Sequence, residues 1–235
     1  MKVLIACEES QTVCMAFRAL GYEAYSCDIL EPSGGHPEWH IKGDALLLLR
    51  KHPVFKTMDG KTHAVERWDL IIAHPPCTFI SNAGACRLYP HKGQLDWKRF
   101  SNGLKGKLFF MAFYLYGWFG CGAIVIENPV PSRVFEMPEH TQVVQPYEYG
   151  DPFSKKTLLW EFGVPQLVPT NVLNEHRPFV SCGTSKNKGN KDKAGVSRKG
   201  GAGRARSKFS PGIAAAMAEQ WGRYIMEVQN DLQRL

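Results

Sequence analysis

Short runs of apolar residues that stop abruptly in polar or proline-rich sequence constrain this chain more than any other feature: KVLIA at 2–6, DLIIA at 69–73 and AIVI at 123–126. Apolar runs of this length, with no polar alternation, are the pattern of strands covered on both faces, as in a parallel sheet between helix layers. After the first run, Val13, Phe17 and Leu20 share one face of a helix expected over 10–20, closed by Gly21, and a second strand is expected over 23–27 before Asp28. Strand, helix, strand with short connections is the opening of a doubly wound sheet, so an α/β, Rossmann-like fold with helices on both faces is expected.

The later chain fits that frame. The segment 31–40 reads as loop, 45–51 as a short helix, 58–61 as a polar turn and 104–118 as an apolar helix. Strands over 143–149 and 157–162 flank the Gly150-Asp151-Pro152 turn, a change to hairpin architecture. Ser210 and Pro211 supply an N-cap and first-turn proline for a closing helix through Gln233. Three units are expected: a core over 1–162, a short basic insertion over 163–209 and a terminal helix over 210–235 that returns to the core.

Composition narrows the function class. With 235 residues, 44% of them hydrophobic, the chain can bury one sizeable core. No run has the length of a membrane span, and the start, with one lysine and early glutamates, does not fit a secretory signal, so a cytoplasmic protein is expected. Seven cysteines without a CxxC pair argue against a disulfide framework and structural zinc, and no metal is expected. The net charge of +7 sits almost wholly in residues 181–208, where Lys186, Lys188, Lys191, Lys193, Arg198, Lys199, Arg204, Arg206 and Lys208 face one acid, Asp192. A near-neutral body with one basic segment, expected to be mobile when unbound, suits a polyanion such as nucleic acid. Its bland alternative is a solvated charge run.

Ligands of an open parallel sheet bind at the carboxyl ends of its strands, which makes residues 7–9, Asp28, 74–77 and 127–129 a single set. Asp28 is placed to hold ribose hydroxyls or to cap a turn, and Asp44 to accept from an exocyclic amine or cap a helix. Cys77, held after two prolines, reads as a nucleophile favouring thiolate or as a small buried hydrophobe. Glu127 ends an apolar strand, where a carboxylate is costly without a partner or a task, and such a glutamate can donate a proton to a ring nitrogen while a thiolate attacks the adjacent carbon. The tryptophans at 39, 68 and 160 and the aromatics of 108–119 are expected in the core.

Pro75-Pro76-Cys77 with Phe79 and Ser81, then Glu127-Asn128, then Tyr149-Gly150-Asp151-Pro152 leading to Lys155, in that order, resembles the DNA cytosine 5-methyltransferase family, and more closely its short phage-encoded members. The resemblance spans most of 1–162 and resumes more loosely at 210–221. It implies an S-adenosylmethionine-dependent methyltransferase fold with a reduced target-recognition region. It further implies that Cys77 attacks carbon 6 of a cytosine flipped out of double-stranded DNA, that Glu127 grips ring nitrogen 3 and the amino group, and that Lys155 takes the place of the family's arginine on the carbonyl oxygen. Glu8, Ser10, Asp28, Asp44 and Pro75 would then meet the cofactor.

Beside Lys155, where Phe153 and Thr157 also depart from the family's pattern, the sequence departs from the family at three further places. The first loop, Cys7-Glu8-Glu9-Ser10-Gln11-Thr12, has no glycine, His74 replaces a small residue before Pro75, and Thr78 replaces a glutamine. Glu8, Glu9 and Ser10 could meet the methionine ammonium or cap the following helix, and a modified cofactor is compatible with the loop. Two other readings share these residues: covalent pyrimidine chemistry on RNA or a free nucleotide, or with a group other than methyl, and a nucleic-acid-binding protein without catalysis.

Overall fold

The apolar runs become neighbouring parallel strands because each alternates its side chains between two helix layers. The computed structural model describes residues 1–120, 122–179 and 208–234. Its strands are β1 Lys2–Ala6, β2 Glu23–Asp28, β3 His40–Lys42, β4 Val54–Lys56, β5 Thr62–Ala64, β6 Leu70–Ala73, β7 Ala123–Pro129, β8 Gln142–Val144, β9 Phe153–Ser154, β10 Thr157–Phe162 and β11 Arg177–Pro178. The helices are α1 Thr12–Ala19, α2 Trp97–Trp118 and α3 Pro211–Gln233.

Seven strands form one sheet in the order β3-β2-β1-β6-β7-β10-β8. The first five run parallel, while β10 lies antiparallel between β7 and β8. The chain builds outward from β1 to β3, then returns to start β6 on the other side of β1. This reversal opens a crevice at the carboxyl ends of β1 and β6, the usual ligand position in open α/β sheets.

Val3 and Ile5 face one layer, where Val13 and Phe17 of α1 meet Ile213, Met217 and Trp221 of α3. Leu4 and Ala6 face the other, with Phe110 and Phe113 of α2, Trp68 and Trp160. Val3, Leu4 and Ile5 are fully buried, each gaining about 1.5–3 kcal/mol from burial. The indoles of Trp68, Trp160 and Trp221 donate to the carbonyls of Leu48, Pro138 and Pro165, which lets large polar-tipped rings lie in the core.

The terminal helix is tied to the Gly150-Asp151-Pro152 turn. The hydroxyl of Ser210 accepts from the Ile213 amide at 3.2 Å and donates to Asp151 Oδ2, which also accepts from the Gly212 amide at 3.1 Å. A Cβ on Gly212 would stand 2.1 Å from the Tyr149 carbonyl oxygen, so only glycine allows this approach.

Several sequence expectations are corrected. The α2 helix starts at Trp97, two turns before position 104, and the 45–51 segment is a 3-10 turn over Ala45–Leu49. Strand β8 stops at Val144, and Pro146–Glu148 forms a 3-10 turn because Pro146 cannot donate to the sheet. Trp68 and Trp160 are core residues, as are Phe110 and Phe113, but Trp118 at the end of α2 and Phe119 at its C-cap are at least 66% exposed. No helix among the described residues is long and apolar enough to cross a membrane.

Candidate active site

The loop after β1 reaches a glycine-like shape without glycine. Cys7 and Gln11 take left-handed backbone conformations, at φ 62° and 59°, a strained state for residues with a Cβ. Gln11 is held by its side chain: Oε1 accepts from the His36 amide at 3.0 Å, and Nε2 donates to the His36 carbonyl at 2.9 Å and to Ser26 Oγ at 3.2 Å. These bonds fasten the loop after β2 over the strand ends.

Glu8 then occupies the start of α1. Its oxygens accept from the amides of Val13 at 2.6 Å and Cys14 at 3.2 Å, and the residue is 4% exposed. Helix amino termini attract anions, so the chain's own carboxylate fills the position where a phosphate would otherwise bind. Burial pushes the Glu8 carboxyl up, against His74 and the two amides, which pull it down. Ser10 lies beside it with its hydroxyl 3.1 Å from Thr12 Oγ1.

Both acids at the ends of β2 and β3 use one oxygen locally. Asp28 Oδ1 accepts from the Leu30 amide and Asp44 Oδ1 from the Leu46 amide, each at 2.9 Å, so the capping roles are real and the second oxygens have no hydrogen bond among the described residues. Burial and then Asp28, Cys27 and Asp44 raise the Cys7 thiol, so the acids converge on it. Ile29, next to Asp28, is 73% exposed and gives this rim an apolar surface.

On the other side of the reversal, β6 ends at Ala73 and the chain turns through His74, Pro75, Pro76 and Cys77. The Asn128 amide donates to the Pro75 carbonyl at 2.8 Å, clamping this turn to β7. Glu127 lies within β7, opposite Leu159 of β10, and accepts through Oε2 from His74 Nδ1 at 3.1 Å. Cys77 is half-buried, and its carbonyl accepts from the amides of Ile80 and Ser81. Lys155 Nζ donates to the Lys208 carbonyl at 2.9 Å and stands 5.5 Å from the Phe179 ring centre.

The expected preference of Cys77 for thiolate is corrected in this state. Burial raises its thiol first and the Glu127 charge raises it further, while Lys155 lowers it. Cys77 therefore rests as a thiol, and the same influences place Glu127 and Lys155 within electrostatic reach of its sulfur.

The structure thus gathers Glu8, Ser10, Asp28, Asp44 and Pro75 along β1, β2, β3 and β6, and Cys77, Glu127 and Lys155 around β6, β7 and β10. Sequence reasoning did not assign His74 its contact with Glu127; a polar residue directly after a four-residue apolar strand was the available signal. Lys186, Lys188, Lys191, Lys193, Arg198, Lys199, Arg204 and Arg206 lie outside the described residues. Among the described residues no group of three or more His, Cys, Asp or Glu could hold a metal ion. No family model matches the chain, and no curated protein is significantly similar to it.

Proposed function

We propose that the chain is an S-adenosylmethionine-dependent methyltransferase acting at carbon 5 of cytosine in DNA. The observation that carries this reading is the Asn128–Pro75 clamp, which makes Cys77 and Glu127 neighbours at one end of the sheet. A thiol and a carboxyl so paired suit covalent activation of a pyrimidine, with attack at carbon 6 and a proton delivered to nitrogen 3.

The residues of the crevice fit the cofactor. Glu9, Asp28 and Asp44 give the strand ends negative charge, and Glu8 already fills the helix terminus a phosphate would need. This favours a cationic nucleoside over a dinucleotide. The free oxygens of Asp28 and Asp44 suit ribose hydroxyls and an exocyclic amine, and Ile29 suits the flat face of a base. When bound, the cofactor supplies an electrophilic methyl group.

This chain's residues do the rest. A neutral Glu127 hydrogen-bonded to nitrogen 3 no longer raises the Cys77 thiol, so substrate binding itself promotes thiolate. The Cys77 thiol proton passes through solvent to the Glu127 carboxylate, the sulfur–carbon 6 bond forms as the displaced electron pair is held at carbon 5, and nitrogen 3 takes the proton from Glu127. Once carbon 5 carries the methyl group that the cofactor would supply, its proton would pass to a solvent base, Cys77 would leave, and the proton on nitrogen 3 would return to Glu127. Lys155 supplies positive charge near the sulfur. Because neither ring carbon is reachable in a stacked duplex, the cytosine must be flipped out.

Mass spectrometry of nucleosides from DNA incubated with protein and S-adenosylmethionine tests the reading directly, with 5-methylcytosine as the expected product. DNA containing 5-fluorocytosine should trap the protein covalently, and Cys77→Ala should form no adduct while melting within about 3 °C of wild type. A modified base found only in RNA, or none at all, would overturn the DNA assignment.

A further inference from the structure

His74 is buried at the reacting end of the sheet with half of its hydrogen-bonding capacity unused. It shares 12% side-chain exposure with Glu127, and its Nδ1 lies 3.1 Å from Glu127 Oε2. Its Nε2 is fully buried and has no partner among the described residues. The backbone amide donates to the Ala6 carbonyl at 2.9 Å, and the ring meets Phe209 at 5.0 Å and 60°, so both ends of the residue are fixed. An orphaned buried nitrogen is destabilising, a cost that a small apolar residue at the same place would not incur. Stability alone does not account for an imidazole here.

The chemistry of the pair does. An ionised carboxylate only accepts, so Nδ1 carries the hydrogen of this contact. Oε2 is thereby occupied, and Oε1 makes no hydrogen bond among the described residues. A carboxyl anchored by one oxygen presents the other in a fixed direction, and a flipped base requires that of a proton donor. Phe209 immediately precedes the Ser210 cap of α3, so the return of the terminal helix braces the ring that braces Glu127.

We propose that His74 is a positioning residue for Glu127: its Nδ1–H anchors Oε2 and leaves Oε1 as the oxygen that engages the substrate ring. The inference rests on the reading of Glu127 as the group that contacts the pyrimidine.

Two measurements test it. In the first, turnover on DNA is compared among wild type, His74→Asn and His74→Ala. The asparagine amide stands the same number of bonds from Cα as Nδ1 and can still donate, so His74→Asn is expected within about threefold of wild type, whereas His74→Ala loses about tenfold or more in kcat with little change in KM. Should the alanine variant fail to fold, His74→Gln, which displaces the donor by one bond, takes its place. The second needs neither cofactor nor nucleic acid: iodoacetamide labelling of Cys77, followed by peptide mass mapping, in His74→Ala, Glu127→Gln and the double variant. Losing His74 should change the Cys77 rate while Glu127 is present and leave it unchanged in the Glu127→Gln background. A change that persists without Glu127, or an alanine variant as active as wild type, overturns the proposal. Coupling without turnover on any nucleic acid sustains the His74–Glu127 pairing and overturns the cytosine reading alone.

Discussion

Asn128 donates its side-chain amide to the carbonyl of Pro75 at 2.8 Å, and this bond joins two strands' worth of chemistry into one site. Pro75 and Pro76 have no amide hydrogens, so the turn that carries Cys77 cannot fasten itself through them. The fastening comes from the residue after Glu127, itself only 2% exposed.

Asn128→Ala therefore acts on geometry more than on stability. It removes one buried hydrogen bond and leaves the Pro75 carbonyl unpaired, but it also removes the orphaned Asn128 Oδ1. The net loss is about 1–2 kcal/mol, measurable by urea denaturation. Turnover should fall by at least about tenfold, because a small displacement of Cys77 from the base is costly. A stability loss with unchanged turnover would show that the clamp does not position Cys77.

Glu127→Gln should move two observables in opposite directions. The carboxylate raises the Cys77 thiol, so replacing it with a neutral amide lowers that pKa and increases thiolate at about pH 7.5. Iodoacetamide should label Cys77 several-fold faster, because a pKa lower by one raises the thiolate fraction about tenfold. Turnover should nevertheless fall by about a hundredfold or more, since the amide has no proton to deliver to nitrogen 3. Slower labelling, or turnover within twofold of wild type, would assign Glu127 a structural part.

The strands at 2–6, 70–73 and 157–162 were legible because every residue after Lys2 in the first run, all of the second and most of the third are apolar and buried from both sides. Strand β3 was not, because His40 at its head is buried by partners distant in sequence, Ser26 through Nδ1 and the Leu30 carbonyl through Nε2. The first turns of α2 were hidden by Gly103, which reads as a helix breaker. Its missing Cβ makes room for the Phe135 ring, 2.1 Å from where that atom would be, so packing overrides propensity. At the site, Cys77 could be read from its position just after β6, and Glu127 as the charged residue that closes the apolar run 123–126, although β7 continues through it to Pro129. The helix cap at Glu8 was one of two roles open to the first loop, and what the sequence did not show was the left-handed turn, announced by no glycine, that brings its carboxylate to the Val13 and Cys14 amides.

Glu161 gives the protein a pH-dependent stability separate from the site. It lies in β10, where Oε2 accepts from Thr141 Oγ1 at 2.8 Å, and Oε1 is buried without a partner among the described residues. Burial raises its carboxyl to about 7, and Thr141 offsets only part of this. The folded protein thus holds this proton more tightly than the unfolded chain, near 4.5. The associated stability is fully present below the unfolded value and is lost as pH rises through the folded one. Glu161→Gln should melt close to wild type at about pH 4.5 and a few degrees above it at about pH 8, with partial exposure moderating the gain. A difference that is constant with pH would show that Glu161 does not titrate across this window.

The basic segment supplies the test of the macromolecular partner. Residues 181–208 hold eight net positive charges and leave the remainder of the chain close to neutral, and the proposed function assigns those charges to DNA phosphates. Neutralising Lys186, Lys188, Lys191 and Lys193 together should weaken binding to duplex DNA of any sequence. It should also flatten the log–log salt dependence by up to about 0.9 for each phosphate that no longer has a lysine against it. Affinity for S-adenosylmethionine should stay within about twofold, because Glu8, Asp28 and Asp44 belong to strand ends of the near-neutral body. Titrations of both proteins at several salt concentrations separate these effects. Equal slopes would remove the segment from the DNA interface, and with it the reason to prefer DNA over a free nucleotide as the molecule that carries the cytosine.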